Sequence, residues 1–397
     1  MNIIYICEKL LRMKISKLFT FTFITTFFLF SCDNDEYVVP AKYISKGNFD
    51  SGVFVLNQGN FTQNASLSFM SFDVNTIKNN ILSGISSNPD IGVNATDAAI
   101  FGDLFYVVST SSNKIEILNR FSMEKVGIIS SGLIDPKYIA ISNGKAFVTN
   151  WGGPNSTTDD FVAVIDLSTN LVINSIPVLE GPGRIIANNG KLYVAQTGTV
   201  NVGNKVSVID DTSYAVATIN VADRPNTMQF DGGSLWVLCE GDSNAATETT
   251  GMLLKINPNT NTFTEQYQFP TGLTIPTNPL SQIIYQHPSN LYISGTDVVY
   301  TKGSGVYKMS LIPVITSPNI TAAVVYPSAP SFSLPFSKVT NLVVKNSYIY
   351  ICGYNSNTTN GIVSIFSNGL IADPGLFGTF IKSHNVGYVP SGFYFNQ

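Results

Sequence analysis

The stretch GPGRIIANNGKLYVAQ, Gly181 to Gln196, is written more than once in this chain. DPKYIAISNGKAFVTN runs from Asp135 to Asn150, and RPNTMQFDGGSLWVLC from Arg224 to Cys239. Each copy opens on a proline, continues as a short apolar run, turns, and enters a second apolar run with an aromatic near its centre. Proline lacks an N–H and is tolerated at the first residue of a strand. The pairs Asn143-Gly144, Asn189-Gly190 and Asp231-Gly232 accept positive φ and so predict tight hairpin turns. After a polar loop comes a third run: FVAVID to Asp166, KVSVID to Asp210, MLLKIN to Asn257. The closing Asp or Asn can bond its own backbone and start the next turn. A fourth run, rich in Val and Ile, follows.

The leading prolines are Pro136, Pro182, Pro225, Pro279, Pro335 and Pro390. The second-strand aromatics are Phe54, Tyr106, Phe147, Tyr193, Trp236, Tyr292 and Tyr350, spaced by 41 to 58 residues. A repeat of this length with four strands per unit predicts a β-propeller. One four-stranded sheet cannot bury both faces alone, whereas sheets stacked radially bury both. The two ends of the chain fit this picture. From Gly52 the first unit starts directly at its second strand, GVFVLNQG, while the last copy, NVGYVPSGFYFNQ from Asn385, holds only the proline-led strand. The expected fold is therefore all-β. It has seven four-stranded blades, and the C-terminal strand completes the N-terminal blade. Six or eight blades would follow if the weakly patterned segment Thr271–Ser337 were miscounted.

Only 12% of the 397 residues are charged, and Asn, Ser, Thr and Gly fill the polar positions, as suits a turn-rich β protein. Residues 1–31 read as a targeting segment. A basic start at Met13-Lys14-Ile15-Ser16-Lys17 leads into the apolar run Leu18–Phe30, too short for a bilayer span but right for a signal sequence. Leu29-Phe30-Ser31-Cys32 resembles the bacterial lipobox, which makes Cys32 the expected lipidation site. Residues 32–50 form an acidic tether starting Asp33-Asn34-Asp35-Glu36, and residues 51–397 the propeller. Without residues 1–31 the chain keeps 18 basic residues (22 less four) and 25 acidic ones (26 less one), net −7. No basic stripe appears, which disfavours nucleic acid as a partner. Cys239 and Cys352 fall two blades apart, beyond the reach of a disulfide, and are expected to be free, buried thiols.

The units GPGRIIANNGKLYVAQ and KVSVIDDTSYAVATINV (Lys205–Val221) resemble the YncE-like seven-bladed propellers. GVFVLNQGNFTQNASLSFMSFD (Gly52–Asp73) resembles the N-terminal blade of Bacteroidetes surface lipoproteins in that group. Among these are BtuG-type proteins, which capture corrinoids for an outer-membrane TonB-dependent transporter. The resemblance implies a lipid-anchored outer-membrane protein exposed at the cell surface. It also implies a corrinoid such as cobalamin as ligand and a TonB-dependent transporter as partner.

In a propeller one face carries the loops between strands two and three together with those between blades. Here the first kind supplies Asn57, Asn60, Phe61, Asn150, Trp151, Gln196, Glu240 and Tyr354 as candidate ligand-binding residues. The second kind supplies Asp97, Lys137, Arg184, Arg224 and Tyr388. Amides, aromatics and a few charges suit a large polar ligand with a planar part. Arg184 and Arg224 suit a phosphate or carboxylate, or alternatively a rim salt bridge with Glu180 or Asp223. Trp151 is either a stacking platform or a plug under its own loop. His287 reads as a turn on the opposite face, and His384 as a residue within reach of the funnel. Neither a zinc motif nor a nucleophile elbow nor a phosphate loop occurs, so no catalytic residue, metal or cofactor is expected. Two other functions fit the same loops. One is a protein- or glycan-binding adhesion module. The other is a lactonase-type enzyme, with Asp97, Glu240 and Asp135 offering oxygens to a metal.

Overall fold

The computed structural model describes residues 46–60, 62–154, 156–244, 248–270, 287–311, 327–369 and 377–397. The described strands form seven antiparallel four-stranded sheets. Six blades run in simple chain order from the inside outward, and the seventh is shared between the two ends of the propeller. We number the blades from this shared one. Their innermost strands are Pro390–Asn396, Ala95–Phe101, Pro136–Ser142, Pro182–Asn188, Pro225–Asp231, Pro288–Ser294 and Lys338–Lys345. Each innermost strand touches the next, and the contacts close from blade seven back to blade one, so the sheets form a ring around a central channel.

Closure follows the expected route. Pro390–Asn396 pairs antiparallel with Gly52–Asn57, with Val53 opposite Phe395 and Phe54 opposite Tyr394. The last strand is also pinned by its end residue. Asn396 is fully buried, its Nδ2 donates to the Phe49 and Arg120 carbonyls, and its Oδ1 accepts from Arg120 Nη1 at 2.9 Å.

Burial follows position in the blade. The second strands are almost wholly buried, because a sheet packs on each of their faces, and so they read as unbroken apolar runs instead of alternating ones. Outer strands such as Leu171–Pro177 are mostly exposed. The second-strand aromatics are the wedges between blades. Phe54, Tyr106, Phe147, Tyr193, Trp236 and Tyr350 are all buried, and Phe54 stacks on Phe105 of the next blade at 5.1 Å.

Blade six departs from the expectation. Its first strand opens on Pro288, not Pro279, which lies outside the described residues. Tyr292 belongs to that first strand, and the second-strand aromatic is Tyr300, buried at Asp297–Lys302. Blade seven opens at Lys338, three residues beyond Pro335. The turns Asn143-Gly144 and Asn189-Gly190 hold both residues at positive φ, as a two-residue hairpin with the strand twist requires. In blade five the turn falls one residue later than expected, on Gly232-Gly233, because Asp231 still pairs with Ser234.

Candidate functional site at the mouth of the channel

One local device repeats around the ring. At the entrance of every innermost strand the pairing with the second strand slips, as between Ala95 and Asp97, Pro136 and Ile139, Pro182 and Ile185, and Pro225 and Thr227. The same slip recurs in blades six, seven and one. A bulge leaves residues unpaired and re-aims their side chains. The residue just before the strand is left-handed in five blades: Asn94, Asp135, Gly181, Arg224 and Val389 have φ between 52° and 64°. For a β-branched valine that conformation is strained. It is held by the following loop, since Gln58 N donates to the Val389 carbonyl at 2.9 Å and Gly59 N to the Tyr388 carbonyl at 3.1 Å. The same clasp ties Trp151 N to Asp135 and Glu240 N to Arg224.

The bulges leave Lys137, Tyr138, Arg184 and Asn226 unpaired at the strand entrances, and Asp97 directly follows the slip in blade two. Asp97 accepts from Tyr394 Oη at 2.8 Å and from Ile139 N at 3.0 Å, while Ala98 N donates to the same Tyr394 oxygen at 2.9 Å. Burial pushes the Asp97 carboxyl above its usual range, against these hydrogen bonds and the positive charge of Arg184. Glu240 accepts from Asn226 Nδ2 at 2.5 Å, and burial raises it as well, opposed by that bond and by Arg184 and Arg224. The charge of Arg184 also acts on Tyr394 and Cys352. These four groups lie in blades one, two, five and seven, whereas Arg184 itself enters from blade four.

The remaining cations are occupied. Lys137 Nζ pairs with Asp135 at 2.9 Å and lies 4.0 Å above the Trp151 ring. Burial lowers its pKa, opposed by Asp135. Arg224 pairs with Asp242 at 3.4 Å. The salt bridges considered for the arginines do not form among the described residues. Glu180 instead accepts from Thr199, Val200 and Asn201 of its own loop. Burial opposes its charge, yet those donors hold it down to about 2. Asp223 accepts from Thr249. Trp151 is half-buried and donates through Nε1 to the Pro182 carbonyl at 3.0 Å, so it bridges blades three and four at the rim.

Three expected site residues turn inward. Asn57, Asn150 and Gln196, at 0%, 0% and 1% exposure, end their second strands inside the sheet. The Asn57 amide donates to Ser66 and Ser68, the Asn150 amide to Val148, and the Gln196 amide to Ser207. Through these bonds Asn57 and Gln196 tie the second strand to the third, although Asn57 Oδ1 and Gln196 Oε1 are buried without a hydrogen-bond partner, while Asn150 Oδ1 accepts from Ile134 N at 2.9 Å. Asn60 bridges loops instead: its Nδ2 donates to the Asn357 carbonyl at 2.6 Å, and its Oδ1 accepts from Thr62 and Gln63. With Tyr354, Asn94 and Ser111 it lines a cleft of about 230 Å³ between blades seven, one and two. Tyr388 lies apart, in a groove with Asn79, Asn80 and Asn360. Phe61 and Cys32 lie outside the described residues.

Both histidines sit elsewhere than expected. His287 precedes the first strand of blade six, with Nδ1 2.6 Å from the Glu240 carbonyl, on the mouth side and not the opposite face. His384 lies on the outer strand Phe380–Tyr388, with Nε2 2.8 Å from the Val74 carbonyl, away from the channel. Cys239 and Cys352 are free and buried, as expected. Asp97, Glu240 and Asp135 are engaged by separate partners. Among the described residues no three His, Cys, Asp or Glu side chains gather as a metal set. Tyr138, Asn226 and Tyr394 were not singled out from the sequence. The proline-led strand pattern was the signal, since each stands on such a strand.

Ring, blades and mouth together define a seven-bladed β-propeller with a polar channel entrance. The chain belongs to the DUF5074 family, a domain of unknown function, whose model matches residues 51–370. No curated protein matches its sequence. Among solved structures it is similar to a candidate 6-phosphogluconolactonase of Bacteroides fragilis NCTC 9343, at 13% identity and TM-score 0.58, over 88% of this chain and 99% of that one. It is also similar to the computationally designed Ika8 protein, at 8% identity and TM-score 0.52, over 87% and 90% of the two chains. At such identities the likeness extends to the fold alone.

Proposed function

We propose that this propeller is a non-catalytic ligand-capturing lipoprotein of the outer-membrane surface. Anchored through Cys32, it holds its ligand over the channel mouth and passes it to a TonB-dependent transporter. The observation that carries this reading is the ring of strand-entrance bulges, which presents side chains from separate blades to one opening. The loops that hold those bulges are tied by backbone hydrogen bonds, so little ordering entropy is lost when a ligand binds. The polar mouth, with Tyr138 and Trp151 beside it, favours a large ligand with amide groups and a flat face. The resemblance of Gly52–Asp73 to corrinoid-capturing lipoproteins makes cobalamin the ligand we put forward. Titration of the full-length chain with cyanocobalamin, followed by visible absorption and heat, is expected to saturate at one ligand per chain. A flat titration at micromolar protein would remove the corrinoid from this reading.

A further inference from the structure

Three cations reach the mouth from the blade entrances singled out in the sequence, and two of them are paired. Lys137 is held by Asp135 and Arg224 by Asp242. Arg184 enters no ion pair among the described residues, and its Nε is buried with no hydrogen-bond partner. An arginine carries five donors in a rigid fork and accepts nothing, so a buried guanidinium edge left without an acceptor is costly unless something fills it. The two carboxyl groups that feel its charge are turned to other donors, Asp97 to Tyr394 and Ile139, Glu240 to Asn226. The guanidinium is also held in place, with its carbon 5.3 Å from the centre of the Tyr138 ring.

We infer that Arg184 is an anion receptor in the channel, taking a phosphate or carboxylate group that enters through the mouth. The inference rests on the ligand-binding reading above and specifies one group its ligand carries. Arg184 reads the anion through its fork, and Tyr138 fixes the plane of that fork before the anion arrives. Arg224, although closer to the rim in sequence terms, is not the receptor, because Asp242 already neutralises it.

The test is calorimetric titration of inorganic phosphate, and separately of succinate, into the full-length chain at low ionic strength. At least one anion is expected to saturate at one per chain; phosphate alone would point to a phosphoryl group, succinate alone to a carboxylate. Arg184→Gln should weaken that binding about tenfold or more, the loss of one charge-assisted fork. Arg184→Lys should recover part of it, since it keeps the charge without the fork. Lys382→Gln, on the outer strand of blade seven, should bind as the unaltered chain does. No saturation by either anion up to about 20 mM, or an Arg184→Gln chain that binds as tightly as the original, would overturn the inference. If Arg184→Gln does not fold, the Arg184 Nε–H resonance of the unaltered chain decides: a shift on adding either anion supports the receptor, and an unmoved resonance ends it. A chain that binds cobalamin but neither anion loses this inference alone. A chain that binds phosphate but not cobalamin keeps it and loses the corrinoid.

Discussion

Replacing Tyr394 by Phe removes a single oxygen from the seam between the closing strand and blade two. That oxygen donates to Asp97 at 2.8 Å and accepts from Ala98 N at 2.9 Å. The ring itself packs edge-on against Phe105 at 5.5 Å and is retained, so no cavity opens. The change loses a hydrogen bond to an ionisable group, worth about 1.5–3 kcal/mol, and leaves a buried N–H without an acceptor, at about 1 kcal/mol. We expect a destabilisation of about 3 kcal/mol, which for a propeller of this size lowers the melting temperature by about 4 °C. Urea unfolding followed by circular dichroism should show the midpoint falling with its slope unchanged. A change below about 0.5 kcal/mol would mean that the hydroxyl does not join the two blades, and the account of the seam would fail.

Asp160 supplies a pH prediction. Burial, helped by the nearby charges of Asp159, Glu180 and Asp135 and opposed by the Gly181 N–H, pushes its carboxyl up to about 6. The folded chain then holds a proton that the unfolded chain releases, so this contribution is largest in acid and declines as pH rises through about 6. Asp160→Asn keeps an acceptor for Gly181, and the difference in melting temperature between it and the original chain should grow from pH 5 to pH 7; a constant difference would contradict this. Glu180 and Asp73, both held down to about 2, lose their contributions only in stronger acid, outside that window. Burial pushes Cys352 up to about 12 and Cys239 higher still, so neither should be alkylated at pH 8 in the folded chain and both should be after unfolding, by peptide mapping. A chain ending at Val389 lacks the strand that covers Val53 and Val55, and should lose its cooperative unfolding transition; an unchanged transition would contradict closure.

The ring was legible because its determinants are local and repeated. A proline at the strand start, a tight hairpin turn bearing glycine or asparagine and a buried aromatic recur in most blades, and the complementary ends of the chain implied closure. Blade six hid because its hairpin turns on Gly295-Thr296 and places Tyr292 in the first strand, opposite Val299, so the aromatic expected in the second strand lies one strand earlier. The mouth was only partly legible. Sequence pointed to Asp97, Lys137, Arg184, Arg224 and Glu240 because each lies near a recognisable strand end, and the structure has them beside those ends. It did not show that Asn57, Asn150 and Gln196 are buried, because a residue at the end of a second strand can turn either into the loop or into the sheet, and the partners that decide lie elsewhere: Ser66, Ser68 and Ser207 on the next strand, and Ile134 N ahead of the blade. It also had no means of telling Arg184 from Arg224. That difference depends on Asp242, whose approach to Arg224 is set by the loop fold and not by spacing.

Hydrogen exchange of the full-length chain with and without saturating cyanocobalamin shows where the ligand sits. Binding at the channel mouth slows exchange at the strand entrances around residues 94–98, 136–140, 182–186 and 225–229 and leaves the outer strands 125–129 and 171–177 unchanged. Protection confined to the outer strands, or none at any entrance when the ligand is bound, would contradict it.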